Sequence, residues 1–334
     1  MSTQATRRPT IAVLATGGTI AGTRSPDIAG SYRAATVGVQ DLIAAVPGLD
    51  ELADVTGEQV LQIDSVNMDD AGMLTLARRT SQLLDSDDVD AVVITHGTDT
   101  LEETAYLLHL GLTSNKPVVF VGSMRPADAL SADGPRNLRH AVAVAANPQA
   151  RGKGVLVVMN DEIHTARDVT KSHTLNVAAL RSPHGPLGYM VGDAPVFYRA
   201  PVRRHTWQTP FDLSALDGLP QVGVVYAHAS MTTATVEALV DSGTAAIVHA
   251  GMGNGYVSEH ISGSLMAARA AGVHIVRASR AASGSVVRNI AALDDANGWL
   301  VVDDQNPQKA RLLIALAMTK TQDVGELQQM FWTY

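Results

Sequence analysis

The chain has 334 residues, 46% hydrophobic and 17% charged, with a net charge of −8 and no cysteine. That length suits two domains rather than one, and the composition can bury a large core. The acidic balance, without a long basic run, argues against a nucleic-acid partner; the missing cysteines exclude disulfides, a thiol nucleophile and thiolate metal sites.

Apolar β-branched runs recur with helical stretches between them. In chain order they predict a strand over 11–15, helices over 39–46 and 69–84, a strand over 89–95 and a helix over 101–111. A strand over 117–122, a helix over 137–146 and a strand over 155–159 follow. Asp133-Gly134-Pro135 reads as a helix cap followed by a first-turn proline. The region 185–220 breaks the rhythm with Pro186, Pro195, Pro201, Pro210 and Pro220, and reads as extended strand plus linker. Beyond it come a strand over 222–226, a helix over 232–242, a strand over 245–250 and a helix over 259–271. Strands over 273–278 and 299–303 and a helix over 307–319 complete the pattern. Continuous Val/Ile runs without polar alternation are what a sheet covered on both faces requires. The expected fold is therefore α/β with two α/β domains. A larger N-terminal domain, 1–200, has a mostly parallel sheet; a linker, 201–220, leads to a smaller C-terminal domain, 221–334. No apolar run approaches the ~18 residues of a membrane span, so no membrane partner is expected. The eleven histidines are scattered without ligand spacing, so a metal is not expected.

Two strands run into loops of glycine and threonine. The first is Ala12-Val13-Leu14-Ala15-Thr16-Gly17-Gly18-Thr19, the second Val92-Val93-Ile94-Thr95-His96-Gly97-Thr98-Asp99. In an open parallel sheet the carboxyl ends of the strands form the crevice where chemistry is done. Two hydroxyl-bearing loops there, one with an adjacent carboxylate, point to a nucleophilic hydrolase. Neither has the Gly-Lys-Ser/Thr end or the G-x-G-x-x-G of a phosphate or dinucleotide loop, which removes a nucleotide-binding oxidoreductase. A threonine hydroxyl needs a base or polariser to attack. Read alone, Thr19 fits a tight turn equally well. Asp99 or Thr100 could simply cap the helix at Leu101, with Glu102 and Glu103 favouring its dipole. Lys171 could be a surface loop lysine, or a desolvated one serving as a base.

Taken together, these segments carry a resemblance. Ala15-Thr16-Gly17-Gly18-Thr19-Ile20-Ala21-Gly22 and Thr95-His96-Gly97-Thr98-Asp99-Thr100-Leu101-Glu102-Glu103-Thr104-Ala105 are two of them. Ser131-Ala132-Asp133-Gly134-Pro135, Arg167-Asp168-Val169-Thr170-Lys171 and Asn306-Pro307-Gln308-Lys309-Ala310-Arg311 are others. Over almost its whole length the chain resembles the bacterial-type L-asparaginases of the glutaminase-asparaginase branch. The resemblance implies hydrolysis of a side-chain amide, without cofactor, through an acyl-threonine intermediate. It implies a homotetramer built from intimate dimers. Thr19 would be the nucleophile with Tyr32 beside it, and Thr98, Asp99 and Lys171 the second hydroxyl–carboxylate–amine set. Substrate contacts would fall to Gly18, Ser65, Val66, Asp99, Ser123, Tyr256 and Ala291. A cytoplasmic location is expected, with the periplasm as the alternative where a signal peptide has been lost.

The match breaks where the family holds the substrate's α-ammonium. The family's Gln or Glu after Ser65 is here Val66. Its Asn or Ser at the end of the loop Ala250-Gly251-Met252-Gly253-Asn254-Gly255 is here Tyr256, and the glutamate supplied by a neighbouring subunit is here Ala291. An ammonium without partners is costly to desolvate. The resemblance implies activity on L-asparagine or a close analogue. The first alternative is an amide whose α-amino group is capped or absent, and the second a catalytically weak sensor on the same fold.

Overall fold

The computed structural model describes residues 7–25 and 32–334. The chain divides into two compact units, Met1–Leu216 and Asp217–Tyr334. Along the first unit run β1 (Thr10–Gly17), β2 (Thr23–Arg24), β3 (Tyr32–Arg33), α1 (Val39–Ala44), α2 (Leu49–Leu52), β4 (Asp54–Ile63) and α3 (Asp70–Asp85). Then come β5 (Ala91–Thr95), α4 (Leu101–Gly111), β6 (Val118–Val121), α5 (Gly134–Ala146), β7 (Val155–Met159) and β8 (Glu162–Thr165). Four short strands close the unit: β9 (Thr170–Lys171), β10 (Leu180–Arg181), β11 (Gly188–Val191) and β12 (Ala194–Phe197).

Eight of these strands form one sheet in the order β12-β11-β8-β7-β6-β5-β1-β4. The five strands from β4 to β7 are all parallel: β1 pairs with both β4 and β5, and β5, β6 and β7 continue parallel, with β1, β5, β6 and β7 being those the apolar runs predict. Every residue of β5, β6 and β7 is buried. Period-two alternation sends Ile11, Val13, Val93, Val119 and Val158 into a core with α1, α2 and α5. Helices α3 and α4 pack on the same strands but share none of that core, so they cover the opposite face. Burying one such aliphatic side chain contributes roughly 1.5–3 kcal/mol.

Strand β4 was not predicted. It is an edge strand, exposed at Asp54, Thr56 and Gln62 and half-buried elsewhere, with Thr, Glu and Gln interrupting its apolar residues, so it carries no continuous apolar run. The opposite edge was read only as extended chain. There β11 and β12 pair antiparallel, and Pro195 lies on the outermost strand, where its missing N–H costs no ladder bond. Residues 206–215 form two 3₁₀ turns that bury Phe211 and Leu213 within the first unit, and Arg78 donates to the Leu216 carbonyl.

The second unit holds β13 (Val222–Tyr226), α6 (Ala234–Asp241), β14 (Ala246–Gly251), α7 (Glu259–Ala270) and β15 (His274–Ser279). It ends with α8 (Asp294–Asn297), β16 (Leu300–Val301), α9 (Pro307–Met318) and α10 (Val324–Thr333). Its four strands are parallel in the order β13-β14-β15-β16. Val236, Ile261 and Leu265 of α6 and α7 share one core with Val225, Ile247 and Ile275. Arg277 on β15 is fully buried and meets both carboxylate oxygens of Asp294 at 2.6 Å. Its remaining N–H groups reach the carbonyls of Asn254, Gly255 and Val287, so every donor of the guanidinium is used. Among the described residues no helix is long and apolar enough to cross a membrane.

Candidate active site

From β1 the chain passes out to β4 at the sheet edge, then crosses back to β5, after which β6 and β7 continue outward. The direction of winding therefore reverses between β1 and β5, and the crevice at such a reversal is the usual ligand site of an open α/β sheet. The loop bearing Thr19 leaves β1 there and the loop bearing Thr98 leaves β5.

Two glycines bring the loops together. Gly18 has φ +76°, and a Cβ on it would lie 2.3 Å from the Cα of Gly97. A Cβ on Gly97 would in turn lie 2.5 Å from the hydroxyl of Ser65. Backbone meets backbone between the first two loops, and the 3₁₀ turn Ser65–Asn67 closes on the second. The Gly18 N–H donates to the Ile63 carbonyl at 2.9 Å, and the Thr100 hydroxyl to the Ser65 carbonyl at 2.8 Å. Thr100 stands at the cap position of α4, but its side chain makes no cap hydrogen bond. The capping reading of Asp99 or Thr100 is thus not realised.

Thr19 lies in a short 3₁₀ turn, nearly buried, with its hydroxyl 2.8 Å from the phenol oxygen of Tyr32. Across the glycine contact, the Lys171 ammonium donates to the Thr98 hydroxyl at 2.9 Å and to Asp99 at 2.5 Å. Thr98 also lies 3.5 Å from the Met124 sulfur. An amine that donates to Thr98 leaves the thioether to accept that hydroxyl's proton. Ser65 is buried, and among the described residues its hydroxyl has no hydrogen-bond partner. An open cleft of about 470 Å³ is lined by Asp99, Lys171, Ser172, His173 and Thr174. Burial pushes the His96 imidazole, under the second loop, down to about 4, and its Nδ1–H donates to the Gly97 carbonyl at 2.8 Å.

Thus Gly18, Thr19, Tyr32, Ser65, Thr98, Asp99 and Lys171 gather at one end of the first unit's sheet. Val66, beside Ser65, is 62% exposed. Ser123 follows β6, but its hydroxyl donates to the Arg125 carbonyl at 2.7 Å and is committed to its own loop. Tyr256 and Ala291 belong to the second unit, where Tyr256 is 51% exposed and Ala291 half-buried.

Two readings are corrected. The Asp133 carboxylate does not cap α5; it accepts from the backbone N–H groups of Met124 and Arg125 at 3.0 and 2.9 Å, stitching down the loop after β6. Glu102, read only as favouring the dipole of α4, does more than that: it is 3% exposed and accepts from the backbone N–H of Lys171 at 2.5 Å. Its signal in the sequence is faint, a first-turn acid in a helix that is otherwise buried almost all round.

Comparison with known proteins bears on the same segments. The family model of the N-terminal asparaginase domain matches residues 10–203, and that of the glutaminase/asparaginase C-terminal domain residues 221–331. A glutaminase-asparaginase of Pseudomonas fluorescens biotype A is 50% identical over 331 residues, 98% of this chain and 91% of that protein. L-asparaginase 2 of Escherichia coli (strain K12) is 47% identical over 328 residues, 98% of this chain and 93% of that one. The crystal structure of a probable cytoplasmic L-asparaginase from Campylobacter jejuni superposes with a TM-score of 0.94 at 44% identity, covering 98% of this chain and 100% of that one. With both units matched by their own models and likeness running nearly end to end, the chain belongs to the glutaminase/asparaginase family.

Proposed function

We propose that the chain is an amidohydrolase that converts L-asparagine, or a close analogue such as L-glutamine, to the acid and ammonia. The observation that carries this reading is the meeting of two hydroxyls at one crevice, one against a phenol and the other against a charge-paired amine. In the first half-reaction the Thr19 oxygen attacks the amide carbon. Its proton passes to the departing nitrogen, and backbone N–H groups at the strand ends stabilise the oxyanion. Ammonia leaves an acyl-threonine, which a water activated by the Thr98–Lys171 pair hydrolyses. Ser65, whose buried hydroxyl has no partner among the described residues, is suited to donate to the substrate's α-carboxylate, and the half-exposed Asp99 to receive its ammonium. Thr19→Ala removes the nucleophile and is expected to abolish ammonia release without changing the assembly. Near-normal turnover by that variant would sink the assignment. Assembly as a cytoplasmic homotetramer is part of the same reading, and a monomeric mass by light scattering with activity retained would refute it.

The exposed apolar side chain of Val66 favours a second substrate class, amides whose α-amino group is capped or absent. A charge-assisted hydrogen bond is worth roughly 1.5–3 kcal/mol, so losing even one costs about tenfold or more in kcat/KM. Free L-asparagine is then expected to be a poor substrate, improved by Val66→Gln with Ala291→Glu, while succinamate and N-acyl asparagine compete well. High kcat/KM for L-asparagine with inert capped analogues would exclude this class.

A further inference from the structure

Lys171 sits on β9, two residues long, whose partner in its small sheet is the two-residue β10. A ladder that short fixes a strand weakly. Yet its lysine must deliver an ammonium to one hydroxyl on a different loop, and a misplacement of about 1 Å in such a group can cost about 10²-fold in rate.

Glu102 supplies the missing constraint. It is the second residue of α4, the helix that begins directly after Thr98 and Asp99. Its carboxylate is buried and turned to β9, where it accepts the backbone N–H of Lys171. Lys171 is therefore held at both ends by one stretch of chain: its backbone by Glu102, its amine by Thr98 and Asp99. The helix start that presents the hydroxyl also sets the distance to the amine.

We propose that Glu102 is a positioning residue for amide hydrolysis, acting through the backbone of Lys171. This rests on the reading of Lys171 and Thr98 as a proton-moving pair. A purely electrostatic role for an acid in a helix's first turn makes a different prediction, because glutamine would then fail where here it succeeds. Its carbonyl has the same reach and still accepts the N–H.

The test measures kcat and KM by ammonia release, with thermal melts, for wild type, Glu102→Ala, Glu102→Gln, Lys171→Met and the Glu102→Ala/Lys171→Met pair. Glu102→Ala is expected to lower kcat by about tenfold or more with KM little changed. Glu102→Gln recovers most of that loss. In the Lys171→Met background Glu102→Ala costs nothing further, since there is no amine left to place. Should Glu102→Ala not fold, Glu102→Asp replaces it with the same expectations, because it keeps the charge and withdraws the oxygens by one methylene. A normal kcat in Glu102→Ala, or an equal loss with and without Lys171, overturns the positioning role alone. Full turnover by Lys171→Met overturns the underlying reading of Lys171, and this role with it.

Discussion

The contact between Gly18 and Gly97 leaves no room for a single added carbon. A methyl at Gly18 would lie 2.3 Å from the Cα and 2.4 Å from the N of Gly97, both backbone atoms that cannot swing aside, at a φ that L-residues rarely adopt. Gly18→Ala is therefore expected to lower stability by about 2 kcal/mol or more and kcat/KM by about 10²-fold, read by urea unfolding and ammonia release. A wild-type melting curve and rate would show that the loops do not depend on that contact. Gly17-Gly18-Thr19 and Gly97-Thr98-Asp99 were legible because glycine after an apolar run marks close backbone approach. Glu102 was not. It and Glu103 are alike in the sequence, and only the return of residues 170–171 over the helix start separates the buried acid from its neighbour. Asp133 was misread for a similar reason: cap chemistry is local, whereas its carboxylate serves a loop eight and nine residues upstream.

Buried parallel strands announce themselves by runs of Val and Ile, and β1, β5, β6, β7, β14 and β15 were read from that alone. An edge strand buries one face, and β4 hid behind its polar residues; the interior strand β8 hid because only Ile163 of its four residues is apolar. The last helix, α10, was also passed over, since it buries only a narrow stripe, Leu327, Gln328 and Phe331. Least legible was the Arg277–Asp294 pair, 17 residues apart, which binds β15 to the Asn254–Gly255 loop and to the Val287–Asn289 segment. Removing one partner leaves the other charged and buried. Asp294→Ala is expected to destabilise by about 3–5 kcal/mol, while Arg277→Met/Asp294→Leu is less damaged than that single change. Equal unfolding midpoints for wild type and Asp294→Ala would contradict this account.

Over the whole molecule, the described histidines include three that burial holds neutral: His96, His205 and His249 are each pushed down to about 4. Their folded-state values lie below the ordinary 6.5, so the unfolded chain takes up protons first as pH falls. The stability they contribute is full above about 6.5 and is lost progressively towards about 4, at no more than about 1.4 kcal/mol per pH unit for each group. The urea midpoint should fall across that window, and His249→Leu should flatten the fall. A midpoint that stays level between about pH 7 and 4 would refute the argument.

The position of β1 between β4 and β5 orders events as the chain is made. Both neighbours of β1, and with them the loops of Thr19, Ser65 and Thr98, lie within the first hundred residues. Lys171 emerges only some seventy residues later. During synthesis the loops of Thr19 and Thr98 can therefore be brought together while the amine is still unmade, and the nascent protein passes through a stage that holds both hydroxyls but not the ammonium that pairs with Thr98.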